Sequence, residues 1–103
     1  MFISRLKSEQ ADNLARAILA LHSEEDCYRL FEDLFTIREI QDLSQRLEVA
    51  RLLQANSTYT EIVEKTGVST ATIGRVNRAL NYGAGGYQLV LERIAETGPE
   101  DEN

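Results

Sequence analysis

Arg75 and Arg78, in the stretch TGVSTATIGRVNRAL (66–80), are the residues best suited to recognition chemistry. A guanidinium is a rigid fork of donors that bonds two acceptors at once, on a guanine edge or on a phosphate. Ala71, Gly74, Arg75 and Arg78 repeat at i, i+3, i+4 and i+7, so a helix places them on one face. Ile73, Val76 and Leu80 repeat at i, i+3 and i+7 and point the other way. The first face is small at its N-terminal end and basic further along. That is the form of a helix entering the major groove of duplex DNA N-terminal end first. Gly74 fits the same reading, because an exposed mid-helix Gly costs roughly 1 kcal/mol relative to Ala. Either a side chain there would collide with DNA, or the position is an unoptimised surface site.

These residues need a frame, and the preceding residues supply one. Thr58 with Glu61 three residues on reads as a capping box. A short helix follows, with Ile62 and Val63 facing inward, and Gly67 stops it in the left-handed conformation. Val68 is the apolar plug of the turn, and Ser69 caps a second helix running to about Leu80. Residues 58–80 therefore read as a helix-turn-helix. Thr70, Ala71, Gly74 and Arg75 are expected to approach base edges. Arg78 and Lys65, with Ser69 and Thr72, are expected at phosphates or framing the docking. Ser69 has a competing use as the N-cap, and Thr72 as a contact to the neighbouring helix.

The remainder reads as helices without strands or internal repeats. Residues 4–22 form a first helix on Leu14, Ile18 and Leu21, flanked by Ala11, Ala15 and Ala17. His22 ends it as a C-terminal cation or cap. Ser23 caps a second helix, with Glu24, Glu25 and Asp26 in its first turn and Cys27, Leu30, Phe31, Leu34 and Phe35 on its inner face. Thr36, boxed with Glu39, opens a third helix to about residue 54. Its stripe of Ile40, Leu43, Leu47, Ala50 and Leu53 is expected to be the core of the fold, with Arg38, Arg46 and Arg51 on the solvated side. Ala55, Asn56 and Ser57 turn into the helix-turn-helix. After NYGAGGY (81–87), a last helix runs from Tyr87 to about Glu96 with Val90, Leu91 and Ile94 inward. Residues 1–96 read as one all-α domain of six helices, and 97–103 as a disordered acidic tail.

Composition narrows the functional classes. At 103 residues the chain suffices for one domain. No run reaches membrane-span length, and the first ten residues lack signal-peptide character. A single cysteine, Cys27, fits a reducing, cytoplasmic setting. One His and one Cys leave no nucleophile–base pair, so an enzyme is not expected, nor is a metal or cofactor. The net charge of −6 opposes DNA binding in sum. Its distribution does not: from Ser57 to Leu80, Lys65, Arg75 and Arg78 outnumber Glu61 and Glu64, and the acid lies elsewhere. That arrangement suppresses non-specific binding and makes the rest depend on salt. Apolar and alanine positions cover more than half of the first helix, more than a monomer of this size hides, so a homodimer is expected.

The chain resembles the Trp repressor superfamily, and most closely its YerC/YecD-type branch of bacterial proteins, over about residues 5–94. The resemblance rests on DLFTIREI (33–40), QRLEVARLL (45–53), TGVSTATIGRVNRAL (66–80) and NYGAGGY (81–87). It implies an intertwined homodimer that binds operator DNA and represses transcription, with the first two helices crossing between subunits. In that family two arginines hold the indole of tryptophan, with a glycine after the second and a serine further along the helix. Arg75 matches the second arginine, but Val76 stands where the glycine belongs and Ala79 where the serine belongs. Arg46 matches the first arginine only with a one-residue slip. Arg46 and Arg75 are thus the candidates for an effector site, and tryptophan is expected to bind weakly or not at all. Two other readings compete: a protein-interaction module on a helix-turn-helix scaffold, favoured by the acidic body, and RNA binding, disfavoured by few exposed aromatics.

Overall fold

A computed structural model of the chain describes residues 1–97, and among these every regular element is helical. The order is α1 (Glu9–Leu19), α2 (Glu24–Leu34), α3 (Ile37–Gln54), α4 (Tyr59–Thr66), α5 (Thr70–Tyr82) and α6 (Gly86–Thr97). Two compact units emerge, one over Met1–Ile40 and one from Gln41 onward. The expected disordered tail, 97–103, lies outside the described residues except for Thr97, the last residue of α6.

In the first unit the caps set the helix limits. Ser8 Oγ accepts the Ala11 N–H at 3.0 Å, so α1 starts at Glu9 and not at residue 4. The helix also stops earlier than the periodicity suggested, with its C-cap at Ala20. His22 is therefore not a terminal cation; its backbone N–H donates to Asp26 Oδ2 at 2.9 Å across the turn. Ser23 caps α2 through the Asp26 N–H, at 3.1 Å. The expected inner face of α2 is only half-buried at Cys27, Leu30, Phe31 and Phe35, and Leu34 is exposed. Phe31 makes edge-on contacts with Tyr28 and Phe35, at centroid distances of 6.0 Å each. No residue of this unit is fully buried, while Phe2, Ile3, Leu6, Ile18 and Leu19 are more than half exposed.

Thr36 and Glu39 exchange the two bonds of a capping box at the start of α3, at 2.9 and 3.1 Å. The far end of α3 is a Schellman motif: Ser57 N–H reaches the Leu52 carbonyl and Asn56 N–H the Leu53 carbonyl, each at 3.0 Å. Asn56 takes φ 68°, the left-handed state that asparagine tolerates among non-glycine residues. The core of the second unit is Val49, Ala50 and Leu52 of α3, Ile62 of α4, Val68 of the turn, Ile73 and Val76 of α5, and Leu91 of α6. Leu53, Val63 and Tyr87 pack against it from the margin. The expected core stripe of α3 is corrected in its first half. Leu43 and Leu47 are 42% and 37% exposed, and the buried face runs through Val49, Ala50 and Leu52 instead. From α3 the core of the second unit takes in only Val49, Ala50 and Leu52, with Leu53 at its margin, so it reaches only the C-terminal half of the helix. Of the residues expected inward in α6, Leu91 is buried, while Val90 and Ile94 are about half exposed.

Candidate nucleic-acid interface

Local chemistry builds the helix-turn-helix as the sequence dictates. Thr58 N–H donates to Glu61 Oε1 at 2.8 Å, and Glu61 N–H to Thr58 Oγ1 at 3.1 Å, closing the capping box of α4. Gly67 ends α4 with φ 77°, and its N–H donates to the Val63 carbonyl at 2.8 Å. Thr66 Oγ1 stiffens the turn: it donates to the Ile62 carbonyl at 2.7 Å and accepts the Val68 N–H at 3.2 Å. Val68 is buried beneath it. Ser69 Oγ then accepts the Thr72 N–H at 3.1 Å and lies 3.2 Å from Thr72 Oγ1. Ser69 and Thr72 are thus occupied with each other at the N-terminus of α5, and Thr72 is half-buried.

Ile73, Val76 and Leu80 fix the inner face of α5 in the core. Thr70, Ala71, Arg75 and Arg78 are exposed on the opposite side, as is Lys65 in the last turn of α4. Among the described residues, neither Arg75 nor Arg78 is ion-paired, although the chain carries more acids than bases. α5 itself contains no carboxylate. Its cations are available to a polyanion with no internal pair to break. Gly74 is half-buried, and a Cβ added there would meet nothing within 4 Å. Nothing inside the chain requires glycine at this position.

Lys65 is the least free of the candidate cations. Arg51 grips Glu48 through two bonds, at 2.9 and 2.6 Å, and holds its carboxyl below the usual carboxylate range. The charge of Lys65 contributes to the same lowering, so its field is shared with Glu48. Asn77, one turn before Asn81 on α5, was not singled out in the sequence. Asn81 Nδ2 donates to the Asn77 carbonyl and to Asn77 Oδ1, both at 2.9 Å. Their spacing of four was the available signal.

Arg46 and Arg75 do converge. They line one cleft of about 300 Å³ with Thr72, Val76, Ala79 and Tyr87. An apolar hollow of about 460 Å³, lined by Leu47, Ala79, Ala84, Gly86, Tyr87 and Val90, shares two of those residues. Tyr87 belongs to both hollows and was not foreseen as a lining residue.

Residues 9–95 match the Trp repressor protein family. The chain belongs to the Trp repressor family. A Bacillus subtilis relative, named as uncharacterized protein YerC, is 50% identical over 103 residues, covering 100% of this chain and 99% of its own. The crystal structure of a TrpR-like protein from Eubacterium eligens superposes with a TM-score of 0.85 at 53% identity, over 88% of this chain and 94% of that one. A Staphylococcus aureus protein described as a candidate Trp repressor gives 0.85 at 45% identity, over 92% and 95%. The Trp repressor family is one of DNA-binding regulators, and its fold is the all-helical one described above. No helix among the described residues is long and apolar enough to cross a membrane.

Proposed function

We propose that the chain is a sequence-specific transcriptional regulator, acting as a repressor in the bacterial cytoplasm. It binds a two-fold-symmetric operator as a homodimer through α5, with residues 1–96 working as one domain. The observation that carries this reading is the outer face of α5, where exposed, unpaired Arg75 and Arg78 follow a glycine with open space at its Cβ position. Thr70, Ala71, Gly74 and Arg75 approach base edges. Arg78 and Lys65 contact phosphates, and Ser69 and Thr72 frame the docking. The homodimer is supported by the first unit, which buries no residue completely in a single copy. Titrating the protein with duplex DNA across a salt series tests the reading. The logarithm of the affinity should fall linearly with the logarithm of salt. No binding at low salt would reject it in favour of a protein partner.

Arg46 and Arg75 are the candidates for an effector site in this reading, since both line one cleft. Val76 lines that cleft and is 3% exposed, so its branched side chain is held there by the core. Ala79 brings no hydroxyl to the same wall. Tryptophan therefore binds weakly or not at all, and calorimetric titration with tryptophan should give no resolvable heat of binding. A clear saturating isotherm would contradict it.

A further inference from the structure

We propose that Gln88 is a positioning residue for α5, clamping the C-terminal end of that helix to α6; the proposal rests on the DNA-binding role of α5 given above. The last carbonyls of a helix have no partners within it. In α5 the carbonyl of Leu80 instead accepts Gln88 Nε2 at 3.0 Å, from eight residues further along the chain. Gln88 stands in the first turn of α6, between Tyr87, which packs on the core, and Leu91, which is buried in it. The bond therefore joins the recognition helix to an element that is itself anchored.

The linker between the two helices leaves little slack. The Gly83 N–H donates to the Ala79 carbonyl at 2.9 Å, and a Cβ at Gly83 would overlap that same carbonyl. Gly85 takes φ +87°, which L side chains rarely adopt. The chain thus leaves α5 along a path that two glycines permit and returns with Gln88 beneath the last turn. The other end of α5 is held by the Ser69 cap and the Val68 plug. Gripped at both ends, α5 keeps one tilt. In a two-fold dimer that tilt sets the distance between recognition helices, and hence the half-site spacing read on DNA.

The test compares wild type, Gln88→Met and Gln88→Lys in the full chain. Met keeps the length of the side chain and the net charge of the wild type but has no donor; Lys restores a donor at a helix C-terminus. Two readouts are used: amide exchange in the last turn of α5, and affinity for duplexes whose half-sites are moved apart or together by one base pair. Gln88→Met should raise exchange in that turn about fivefold. It should also erase the preference for one spacing while leaving base preferences within each half-site intact. Gln88→Lys should recover both. Unchanged exchange and spacing preference in Gln88→Met would overturn the proposal. If wild type selects no duplex, the DNA-binding reading fails, and exchange alone decides whether Gln88 holds the turn.

Discussion

Gly74 separates stability from recognition at a single residue. Space for a Cβ is open in the free chain, and the residue lies mid-helix in α5. Gly74→Ala should therefore stabilise the fold by about 0.5–1 kcal/mol, visible as a higher melting temperature. The same change should weaken DNA binding, because the methyl group stands where the groove floor must approach. A variant that melts higher and binds as well as wild type would remove glycine from the recognition argument. Arg75→Ala should cost about 1–3 kcal/mol of binding and relax one base position, whereas Arg78→Ala should weaken all sequences alike and lower the salt slope by about 1. At this scale the sequence was most legible where a residue type has one physical use. Thr58, Gly67 and Val68 all do what their chemistry demands. Gln88 was not legible, since a glutamine on a helix gives no sign of reaching back eight residues to a carbonyl.

Helix starts were readable at the scale of the element, and helix faces less so. Five of the six helices, α1 to α5, open on a Ser or Thr side chain accepting an N–H from the third residue on. The capping box of α4 sets the entry into the helix-turn-helix, so Thr58→Ala should cost roughly 1 kcal/mol of stability. Chemical denaturation would show it as a lower midpoint at unchanged slope. The apolar period of Leu14, Ile18 and Leu21 runs past the end of α1, while Ser8 offers a cap that fixes its start. The stripe on α3 was misassigned because a row of leucines does not say what covers it. Glu48 on α3 carries a pH dependence of known sign. The hydrogen bonds from Arg51 lower its pKa most, burial opposes them as the next-largest effect, and the charges of Arg51 and then Lys65 add to the lowering. A carboxyl with a folded pKa below its unfolded one adds stability above the unfolded value and loses it as pH falls through the folded one. Both partners are about half exposed, so the effect is small. Glu48→Gln should lower stability slightly at neutral pH and leave it unchanged at acid pH, which flattens the acid limb of the stability curve a little.

At the scale of the whole molecule, the first unit poses the main physical question. Its helices carry Leu14, Ile18 and Leu19 on α1 and Tyr28 and Leu34 on α2, all 44% exposed or more. Burial of such side chains is worth about 1.5–3 kcal/mol each, so a single copy forgoes much of its stabilisation. If a second copy covers them, the melting temperature must fall on dilution by mass action. A melting temperature independent of concentration over a hundredfold range would contradict the dimer. The apolar excess was visible in the sequence as a surplus on the first helix; its location, shared by the arm at Phe2 and Ile3, was not. The charge pattern was legible too, because α5 carries only cations while Glu24, Glu25, Glu32 and Asp33 lie exposed on α2.

The most direct test of the central claim is selection from a random duplex library by the purified protein, at low and at physiological salt, beside Arg75→Ala. The account predicts enrichment of a two-fold-symmetric motif by wild type, with at least one base position of each half-site relaxed in Arg75→Ala. No enrichment at either salt, or an identical motif from Arg75→Ala, would contradict recognition of an operator by this face of α5.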